Sequence, residues 1–333
     1  MKKKGDKTNR YSSPVAALFT GISDLFKPAG KKLDLEGLPS MDGKRVLITG
    51  ASSGLGFATA VEMAKRGAEV IMAVRSGIPH KGEEVKRRSG SPKVEMIRMD
   101  LSDLESLEGF TLKVRQNFGP VDIILCNAAM VAKNSRAVKE GLDEMFVVNY
   151  FAKFLLAKRL LNGDILNHAG PDLPRIIFVA SESHRNPSAF EWEQFGSFRS
   201  YGIKQSVAMY GYYKLLLLTM ANELSRRINP DGKMKASVFA LCPGPVNSNI
   251  AREAPKLFQP LLKLVFGIFF RSPKKACSPI LYLAASKEVE GTSGTYLFLM
   301  QKKEMDSKAT DPLNGSRLWE LSEKLEKQIM KSN

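Results

Sequence analysis

The chain has 333 residues, a net charge of +16, and only three cysteines and three histidines. Its apolar fraction of 44% is enough for a large core, and its length suits one α/β domain with extensions or two domains. The cysteines Cys126, Cys242 and Cys277 show neither paired nor metal-type spacing, which argues against a disulfide framework or a metal centre and indicates a reducing compartment. No nucleic-acid motif is present, so the charge points to a membrane surface or to solubility.

Residues 1–43 are predicted to form a basic N-terminal extension. A run of lysines opens it, and apolar residues then recur at helical spacing between Val15 and Phe26. This segment is too short and too polar to span a bilayer, and it lacks the features of a secretory signal. It predicts either an interfacial anchor near anionic lipid or a helix packed on the domain surface.

The first predicted strand, residues 45–48, leads into a glycine-rich turn and then into a helix over residues 57–66. Glycines permit a tight turn and a close approach of the backbone to a pyrophosphate, and the N–H groups of the following helix face the anion. The Gly-x-x-x-Gly-x-Gly spacing differs from the more familiar dinucleotide fingerprint, so a purely structural turn is the alternative. The predicted cofactor-binding residues here are Thr49, Gly50, Ser52, Ser53, Gly54, Leu55 and Gly56.

Strands and helices alternate along the chain as far as residue 302. Further strands are predicted at residues 69–74, 94–99, 121–125, 175–179, 235–241 and 293–299, and helices at 104–118, 142–161 and 210–228. This pattern predicts an α/β fold, a doubly wound, Rossmann-type parallel sheet of about seven strands with helices on both faces. Ligands then bind at the carboxyl ends of the strands. We assign residues 44–302 to this domain and residues 303–333 to a C-terminal helical extension.

Arg75 follows the second predicted strand. An acidic residue there would bind a ribose 2′-hydroxyl and repel a 2′-phosphate, whereas an arginine favours the 2′-phosphate of NADP(H). A solvated surface arginine is the alternative. Asp100 and Leu101 follow the third strand and are further candidate cofactor contacts. The Asp100 carboxylate could accept a hydrogen bond from an adenine amino group or cap the next helix.

Asn127 and Ala128 follow the fourth predicted strand. Small residues there leave room for a cofactor across the strand end, and the Asn127 amide can tie neighbouring strands together. Asn149 lies in an otherwise apolar helix, where a buried amide needs a partner. Its side chain either satisfies a kink in that helix or holds a water molecule.

Ser181 follows the fifth predicted strand, and Tyr210 and Lys214 are spaced to share one face of a helix. A lysine cation near a phenol lowers the phenol pKa from about 10 toward working pH. Tyr210 is therefore the candidate general acid or base for a carbonyl/alcohol pair. Tyr213 is adjacent to Lys214 in sequence and is expected to point elsewhere.

Taken together and in this order, these motifs resemble the short-chain dehydrogenase/reductase family over residues 44–299. The similarity is strongest to the retinol-dehydrogenase-like and WW-domain-containing-oxidoreductase-like branch, with some similarity to light-dependent protochlorophyllide reductases. The segments that carry it are residues 126–129, 181–185 and 317–324.

The resemblance implies a mechanism. Ser181 would polarise the substrate oxygen, and Tyr210 would transfer the proton. Lys214 would bind the nicotinamide ribose and depress the pKa of Tyr210, and Asn149 would hold a water molecule in a proton relay. Hydride would move to or from the nicotinamide C4.

The resemblance further implies that residues 242–248 form the family's Pro-Gly turn beside the nicotinamide. The cofactor contacts carried over from that turn are Pro243, Gly244, Val246 and Ser248. Ser248 stands where the family usually has threonine, and Ala129 replaces a glycine. Residues 184–208 resemble an insertion and are expected to shape one wall of the substrate site.

Residues 254–271 are strongly apolar and occupy the position of the family's mobile substrate-covering segment. They predict either a lid that accepts a lipophilic substrate and touches membrane, or an ordinary helix packed on the core. Apolar residues from Leu318 to Ile329 predict an amphipathic C-terminal helix that packs on the domain.

The sequence therefore predicts an NADP(H)-dependent oxidoreductase that acts on a lipophilic alcohol or carbonyl compound, such as a retinoid, a steroid or another lipid. We expect no nucleic-acid partner, while peripheral membrane contact and a homodimer are compatible with the pattern. The expected location is the cytoplasm or a membrane facing a reducing compartment. The alternatives are a cofactor-binding regulatory or scaffold protein with weak turnover, and a double-bond reductase of the protochlorophyllide-reductase type.

Overall fold

The computed structural model describes residues 37–162, 165–246 and 272–332. Three sequence predictions therefore lie outside the described residues: the amphipathic N-terminal segment, the apolar segment 254–271, and the cofactor contact at Ser248. Within the described ranges, no helix is long and apolar enough to span a membrane.

One sheet organises the described chain. Its strands are β1 Arg45–Thr49, β2 Glu69–Val74, β3 Val94–Arg98, β4 Ile123–Cys126, β5 Arg175–Val179, β6 Ser237–Cys242, β7 Tyr296–Phe298 and β8 Gln301–Lys302. They lie in the order β3-β2-β1-β4-β5-β6-β7-β8, with β1 to β7 parallel and β8 antiparallel to β7. The predicted doubly wound parallel sheet is confirmed. The eighth strand was not predicted because two exposed residues carry no alternating pattern.

Helices cover both faces of this sheet. They are α1 Gly54–Lys65, α2 His80–Ser89, α3 Phe110–Phe118, α4 over residues 144–161, α5 Ile203–Ile228, α6 Pro273–Ala276, α7 Ser278–Ala285, α8 Ser307–Thr310 and α9 Pro312–Ser332. Helix α4 is a composite that begins as Glu144–Phe146, passes through a π-helical turn at Val147–Phe151 and continues as Ala152–Leu161. Short 3₁₀ turns occur at Glu105–Leu107, Glu182–Arg185, Trp192–Gln194, Pro230–Gly232 and Lys287–Val289.

Two hydrophobic cores lie on opposite sides of the sheet because successive strand residues point to opposite faces. In β1, Val46 and Ile48 join one core with residues of α1, α6 and α7, whereas Leu47 joins the other with residues of α3, α4 and α5. The central strands are buried on both sides, which explains why they are continuous apolar runs in the sequence.

Several helices differ from the prediction: α3 begins at Phe110 rather than at residue 104, and α6, α7 and α8 were not predicted. Helix α5 begins at Ile203 rather than at Tyr210. Gly202 is its N-cap residue, and the Gly202 N–H donates to Oε1 of Gln205 at 3.4 Å. Helix α2 was missed because its sequence is dominated by charged residues, and only Gly82 and Val85 are buried. Its helical pattern is therefore too weakly apolar to detect from periodicity.

The C-terminal helix α9 packs on the domain, as its apolar spacing predicts. The Trp319 ring meets Phe154 of α4 edge-on, with centroids 5.0 Å apart, and the Arg227 guanidinium of α5 lies 4.7 Å from the Trp319 ring centroid. The hydroxyls of Tyr150 and Ser322 are 2.6 Å apart in the same interface. The division of the chain into extension, domain and C-terminal extension stays a prediction.

Candidate active site

The turn that follows β1 is tied to the end of β4 by side-chain hydrogen bonds. The Thr49 hydroxyl accepts from the N–H groups of Asn127 and Ala128, at 3.0 and 3.1 Å. The Asn127 amide Nδ2 donates to the carbonyls of Thr49 and Gly50, at 3.0 and 3.3 Å. Asn127 therefore links neighbouring strands as predicted, and Thr49 completes the link. These bonds fix the backbone of the glycine turn relative to the β4 end.

The glycines in this turn are required by space. Gly50 has φ of +67°, and a Cβ added there would lie 2.9 Å from Cβ of Ala128. A Cβ at Gly56 would lie 2.5 Å from both Asn127 Nδ2 and the Gly50 carbonyl oxygen. The start of α1 thus packs directly against the turn, as a phosphate-binding strand–turn–helix unit requires.

The N-terminus of α1 is open to an anion. Among the described residues, no side chain caps it at Ser53, and its first turn contains no acidic residue. The first N–H groups of a helix have no intrahelical partner, and the helix dipole makes this end positive. Ser53 is exposed and Ser52 partly exposed beside it, while Leu55 is buried in the core. The residues present therefore fit the pyrophosphate of a dinucleotide.

Arg75 extends from the end of β2 into solvent. Its side chain is 49% exposed, and its Nε lies 3.9 Å from Asp100 Oδ2 at the end of β3. This places a free guanidinium face next to the glycine turn, because β1 and β2 are adjacent strands. The arrangement fits a ribose 2′-phosphate and also admits a ribose 2′-hydroxyl.

Asp100 stabilises the turn after β3. Its Oδ1 accepts hydrogen bonds from the N–H and hydroxyl of Ser102, at 3.0 and 2.7 Å. The capping role at the next helical turn belongs instead to Asp103, whose Oδ1 accepts from Glu105 N–H at 3.1 Å. Leu101 has its side chain buried in the core, so only its backbone remains to contact a ligand.

Asn149 lies in the π turn of α4 and is fully buried. Its Nδ2 donates to the carbonyls of Met130 and Met145, at 2.8 and 3.0 Å, and its Oδ1 accepts from Met130 N–H at 3.3 Å. The amide therefore satisfies the kink, one of the two roles considered for it. Its backbone carbonyl accepts a hydrogen bond from Lys153 Nζ at 3.3 Å. Sequence reasoning missed Lys153, although a lysine four residues after Asn149 in an apolar stretch was the available signal.

Ser181, Tyr210 and Lys214 come together at the end of β5. The Tyr210 hydroxyl is hydrogen-bonded to the Ser181 side chain. Lys214 Nζ lies 5.4 Å from the centroid of the Tyr210 ring and donates to the Val179 carbonyl at 2.9 Å. The shared helix face predicted from the spacing of Tyr210 and Lys214 is therefore present. Tyr213 points away and donates to Asp143 Oδ2 at 2.8 Å.

The electrostatics of this cluster differ from the prediction. Burial raises the pKa of Tyr210, and the hydrogen bond with Ser181 opposes that rise. Burial also lowers the pKa of Lys214 well below its ordinary value. The expected lowering of the Tyr210 pKa by Lys214 does not occur in this state, because the amine lies over the ring and a buried ammonium is itself disfavoured.

The turn after β6 lies at the same edge of the sheet, because β5 and β6 are paired in parallel. Pro243, Gly244 and Val246 belong to it, and Gly244 has φ of +76°. A Cβ at Gly244 would lie 2.5 Å from Leu299 Cδ2, so a side chain there would have to displace the Leu299 side chain. The structure thus brings these residues toward Ser181, and Ser248 remains outside the described part of the chain.

A doubly wound sheet, a glycine turn open to a pyrophosphate, and a serine, tyrosine and lysine at the neighbouring strand ends define a dinucleotide-dependent oxidoreductase. Comparison with known proteins agrees with this class. The sequence model described as short chain dehydrogenase matches residues 44–192.

Human (Homo sapiens) retinol dehydrogenase 14 is 31% identical to this chain over 325 residues, which cover 92% of this chain and 94% of that protein. The WW domain-containing oxidoreductase of Gallus gallus is 33% identical over 294 residues, with 86% and 68% covered. The solved structure of NADPH-dependent 3-quinuclidinone reductase from Rhodotorula rubra has the same fold, with a TM-score of 0.58, 22% identity, and 82% of this chain and 97% of that chain covered.

The chain therefore belongs to the short-chain dehydrogenase/reductase family, and the resemblance seen in its sequence is confirmed, including the retinol-dehydrogenase-like branch. It is a nicotinamide-dependent oxidoreductase.

Proposed function

We propose that this oxidoreductase prefers NADP(H) and interconverts a lipophilic alcohol and its carbonyl compound. The observation that carries the reaction is the Ser181–Tyr210–Lys214 cluster at the end of β5, on the same edge of the sheet as the glycine turn. A lipophilic substrate is supported by the retinol dehydrogenases among the relatives and by the apolar sequence of residues 254–271.

The preference for NADP(H) is supported by Arg75. Its guanidinium is half exposed, and the nearest carboxylate, Asp100, lies 3.9 Å away while also engaged with Ser102. A 2′-phosphate would form charge-assisted hydrogen bonds with this guanidinium, whereas a 2′-hydroxyl would gain far less. Ser52 lies beside the loop that follows Arg75, since a Cβ at Gly77 in that loop would be 3.8 Å from Ser52 Cβ.

A bound nicotinamide supplies the hydride. The chain supplies binding, orientation and the proton. Ser181 Oγ accepts hydrogen bonds from the N–H and Oγ of Ser183, at 3.3 and 2.9 Å, so its own proton is the one that bonds to Tyr210 and that a substrate oxygen would take over. The Tyr210 hydroxyl gives its proton to that oxygen in reduction and takes it back in oxidation. One N–H of Lys214 donates to the Val179 carbonyl, and its remaining N–H groups are available to donate to ribose hydroxyls.

The reaction is tested by following NADPH oxidation over a panel of lipophilic aldehydes and ketones. Tyr210→Phe removes the proton donor and is expected to lower kcat at least about 100-fold without changing the Tm. Tyr213→Phe is the matched control, because it removes a hydroxyl that bonds to buried Asp143, and it should lower the Tm while preserving kcat. Equal activity of Tyr210→Phe and the wild type would contradict the proposal.

The cofactor preference is tested by the ratio of kcat/KM for NADPH and NADH. Arg75→Ala should reduce kcat/KM for NADPH by about 10-fold or more and leave the value for NADH nearly unchanged. Lys93→Ala is a control, since this exposed lysine precedes β3 at the other end of the strands. A wild-type preference for NADH that Arg75→Ala does not alter would refute the assignment.

A protein that binds cofactor with weak turnover is the second candidate, because Lys214 Nζ lies over the Tyr210 ring and donates to the Val179 carbonyl. NADPH binding measured by cofactor fluorescence, without oxidation by any carbonyl in the panel, would select this alternative. The panel includes α,β-unsaturated compounds, because a double-bond reductase of the protochlorophyllide-reductase type would use the same Tyr210 and Lys214.

We also propose peripheral contact with anionic membranes in a reducing compartment, supported by the net charge of +16 and by three free cysteines. Sedimentation with phosphatidylserine vesicles at low salt tests this membrane contact, and absence of binding would refute it.

A homodimer is proposed as well, and size-exclusion chromatography with light scattering tests the oligomeric state. Helix α9 packs against α4 and α5, so these two helices are already partly covered within one chain.

A further inference from the structure

Tyr201 is a buried tyrosine that the reaction described above does not use. It lies near the end of the irregular segment after the Ser181 loop, two residues before α5 begins, and is 7% exposed. Its hydroxyl donates to both oxygens of the Asp143 carboxylate, at 3.0 and 3.2 Å. Asp143 is 2% exposed and is the N-cap residue of α4. One carboxylate therefore joins the start of α4 to the start of α5.

The backbone of Tyr201 is held by the loop that follows β4, residues 127–143, called here the β4 loop. Tyr201 N–H donates to Ser135 Oγ at 3.2 Å, and Ser135 N–H donates to the Tyr201 carbonyl at 3.1 Å. In the first turn of α5, the Ser206 hydroxyl donates to the Ala132 carbonyl. Tyr201 is thus attached to one loop through its hydroxyl, its N–H and its carbonyl.

The β4 loop is itself fixed between the two points that hold Tyr201. Glu144 N–H donates to the Arg136 carbonyl at 2.8 Å, and Arg136 Nε donates to the Glu144 carboxylate at 2.6 Å. The chain between Ser135 and Asp143 therefore folds back on itself. Because both anchors belong to this closed loop, a segment that binds them is held in one place.

This attachment lies at the edge of the sheet that carries the candidate active site. Strands β4 and β5 are adjacent and parallel, with Cys126 paired with Phe178. The β4 loop and residues 186–203, called here the wall segment, therefore start from the same edge. The wall segment begins five residues after Ser181 and ends seven residues before Tyr210. Ligands of such sheets bind outside these strand ends.

Two large apolar side chains of the wall segment are exposed beside Tyr201. Phe198 is 45% exposed and Ile203 is 41% exposed. A single exposed apolar side chain is ordinary, but these two flank a buried residue that is tied down by hydrogen bonds. A lipophilic substrate needs an apolar surface of this kind near the reacting atoms.

We propose that Tyr201 is a positioning residue for substrate specificity: by binding Asp143 and Ser135, it fixes the wall segment, with Phe198 and Ile203, as an apolar wall of the substrate site. The inference rests on the lipophilic substrate proposed above. Tyr201 acts through the wall segment, so its loss affects how the carbonyl compound binds rather than the transfer of the proton.

Tyr213 provides a matched control. It is 4% exposed, and its hydroxyl donates to the same Asp143 carboxylate at 2.8 Å. Tyr213 lies well inside α5, whose backbone hydrogen bonds hold it in place. Tyr201 lies in neither a helix nor a strand, so its position depends on its bonds to the β4 loop. Tyr201→Phe and Tyr213→Phe each remove one buried hydroxyl from the same acceptor and should lower the Tm similarly.

The first test compares the KM values of long-chain and short-chain carbonyl compounds. Tyr201→Phe should raise the KM for the long-chain compound by about 5-fold or more, and kcat and the KM for NADPH should change little. Tyr213→Phe should leave all three unchanged. Ser135→Ala loosens the same segment from its other anchor and replaces Tyr201→Phe if that variant fails to fold. Equal KM values in Tyr213→Phe and in the folded variant of this segment overturn the proposal.

The second test removes the apolar side chains themselves. Phe198→Ala and Ile203→Ala should each raise the KM for the long-chain compound by about 3-fold or more, with the Tm nearly unchanged because both side chains are exposed. Leu112→Ala is the control, since Leu112 is 53% exposed on α3 and should leave this KM unchanged. An unchanged KM in both wall variants overturns the proposal.

A third test does not depend on activity. Amide hydrogen exchange followed by NMR reports the Ser135 N–H, which donates to the Tyr201 carbonyl. Its exchange should be about 10-fold faster in Tyr201→Phe and close to the wild-type rate in Tyr213→Phe. Equal rates in these two variants overturn the positioning role. If the wild type reduces no carbonyl compound, the proposed function fails, whereas hydrogen exchange still decides whether Tyr201 fixes the wall segment.

Discussion

The imidazole of His184 accepts a hydrogen bond at Nε2 from the backbone N–H of Asp306, 3.2 Å away. Its Nδ1 lies 2.7 Å from the Ser181 carbonyl oxygen, which can only accept, so Nδ1 carries the proton and the ring is neutral. His184 is fully buried. The loop that carries the candidate catalytic serine is thereby joined to the segment that precedes α8.

Stability should decrease on acidification because of His184. Burial lowers the pKa of His184 from 6.5 to about 4. Between pH 6.5 and about pH 4, the unfolded chain therefore carries a proton on this imidazole that the folded chain does not. The stabilisation is complete above pH 6.5 and is lost as pH falls toward 4, at about 1.4 kcal/mol per pH unit for this group. Urea unfolding between pH 5 and pH 7 measures the slope.

His184→Gln removes the titrating group and should flatten that slope by about one proton. His80→Gln is the control, because His80 begins α2 and is exposed. It should retain the wild-type slope. Identical pH dependence in His184→Gln and the wild type would show that the buried imidazole does not control acid stability.

The same loop is held from the other side by Glu182. Its carboxylate accepts from the Tyr296 hydroxyl at 2.8 Å and from Arg185 Nε at 3.2 Å, and it pairs with Lys303. Burial raises the pKa of Glu182, but the hydrogen bond from Lys303 and the nearby cations lower it more. The carboxylate is therefore a buried charge that depends on its partners.

Lys303→Met should destabilise the protein by about 1–3 kcal/mol, because it leaves the buried Glu182 carboxylate undercompensated. It should also lower kcat, since the Ser181 loop loses a support. Lys302→Met, an exposed neighbour in β8, should do neither. Chemical denaturation and steady-state kinetics measure the two effects. Equal stability of the two variants would mean that the Lys303 ion pair contributes nothing.

The sequence was sufficient for the sheet and for the cluster at its edge, because strand burial and residue spacing are local signals. Continuous apolar runs mark the parallel strands, and a four-residue spacing places Tyr210 and Lys214 on one face. The link between Asn127 and the glycine turn was also predictable, since parallel strand ends meet at one edge.

The remainder depends on long-range contacts that spacing does not report. The partner of His184 lies more than a hundred residues away at Asp306, and Tyr296 and Lys303 reach Glu182 over a similar separation in sequence. The direction of the Tyr210 pKa was predicted wrongly because sequence shows the neighbouring cation but not the burial that outweighs it.

The C-terminal helix should contribute strongly to stability through Trp319. This side chain is 2% exposed and contacts Phe154 and the guanidinium of Arg227. Trp319→Ala should cost about 3–5 kcal/mol of unfolding free energy, because it removes a large buried ring and leaves a cavity. Leu313→Ala on the same helix is the control, since Leu313 is 80% exposed and should change stability little. Similar denaturation midpoints for both variants would mean that α9 is not part of the cooperative unit.

Gly56→Ala should abolish tight cofactor binding while leaving most of the fold intact. The new methyl group would lie 2.5 Å from Asn127 Nδ2 and from the Gly50 carbonyl, so α1 and the glycine turn must separate. The N–H groups that face the pyrophosphate then lose their alignment, and the Kd for NADPH should rise by at least about 100-fold. Gly202→Ala is the matched control, because its nearest neighbours are at 3.9 Å, an ordinary contact. Fluorescence titration with NADPH measures both variants. A wild-type Kd in Gly56→Ala would show that the turn does not bind the cofactor.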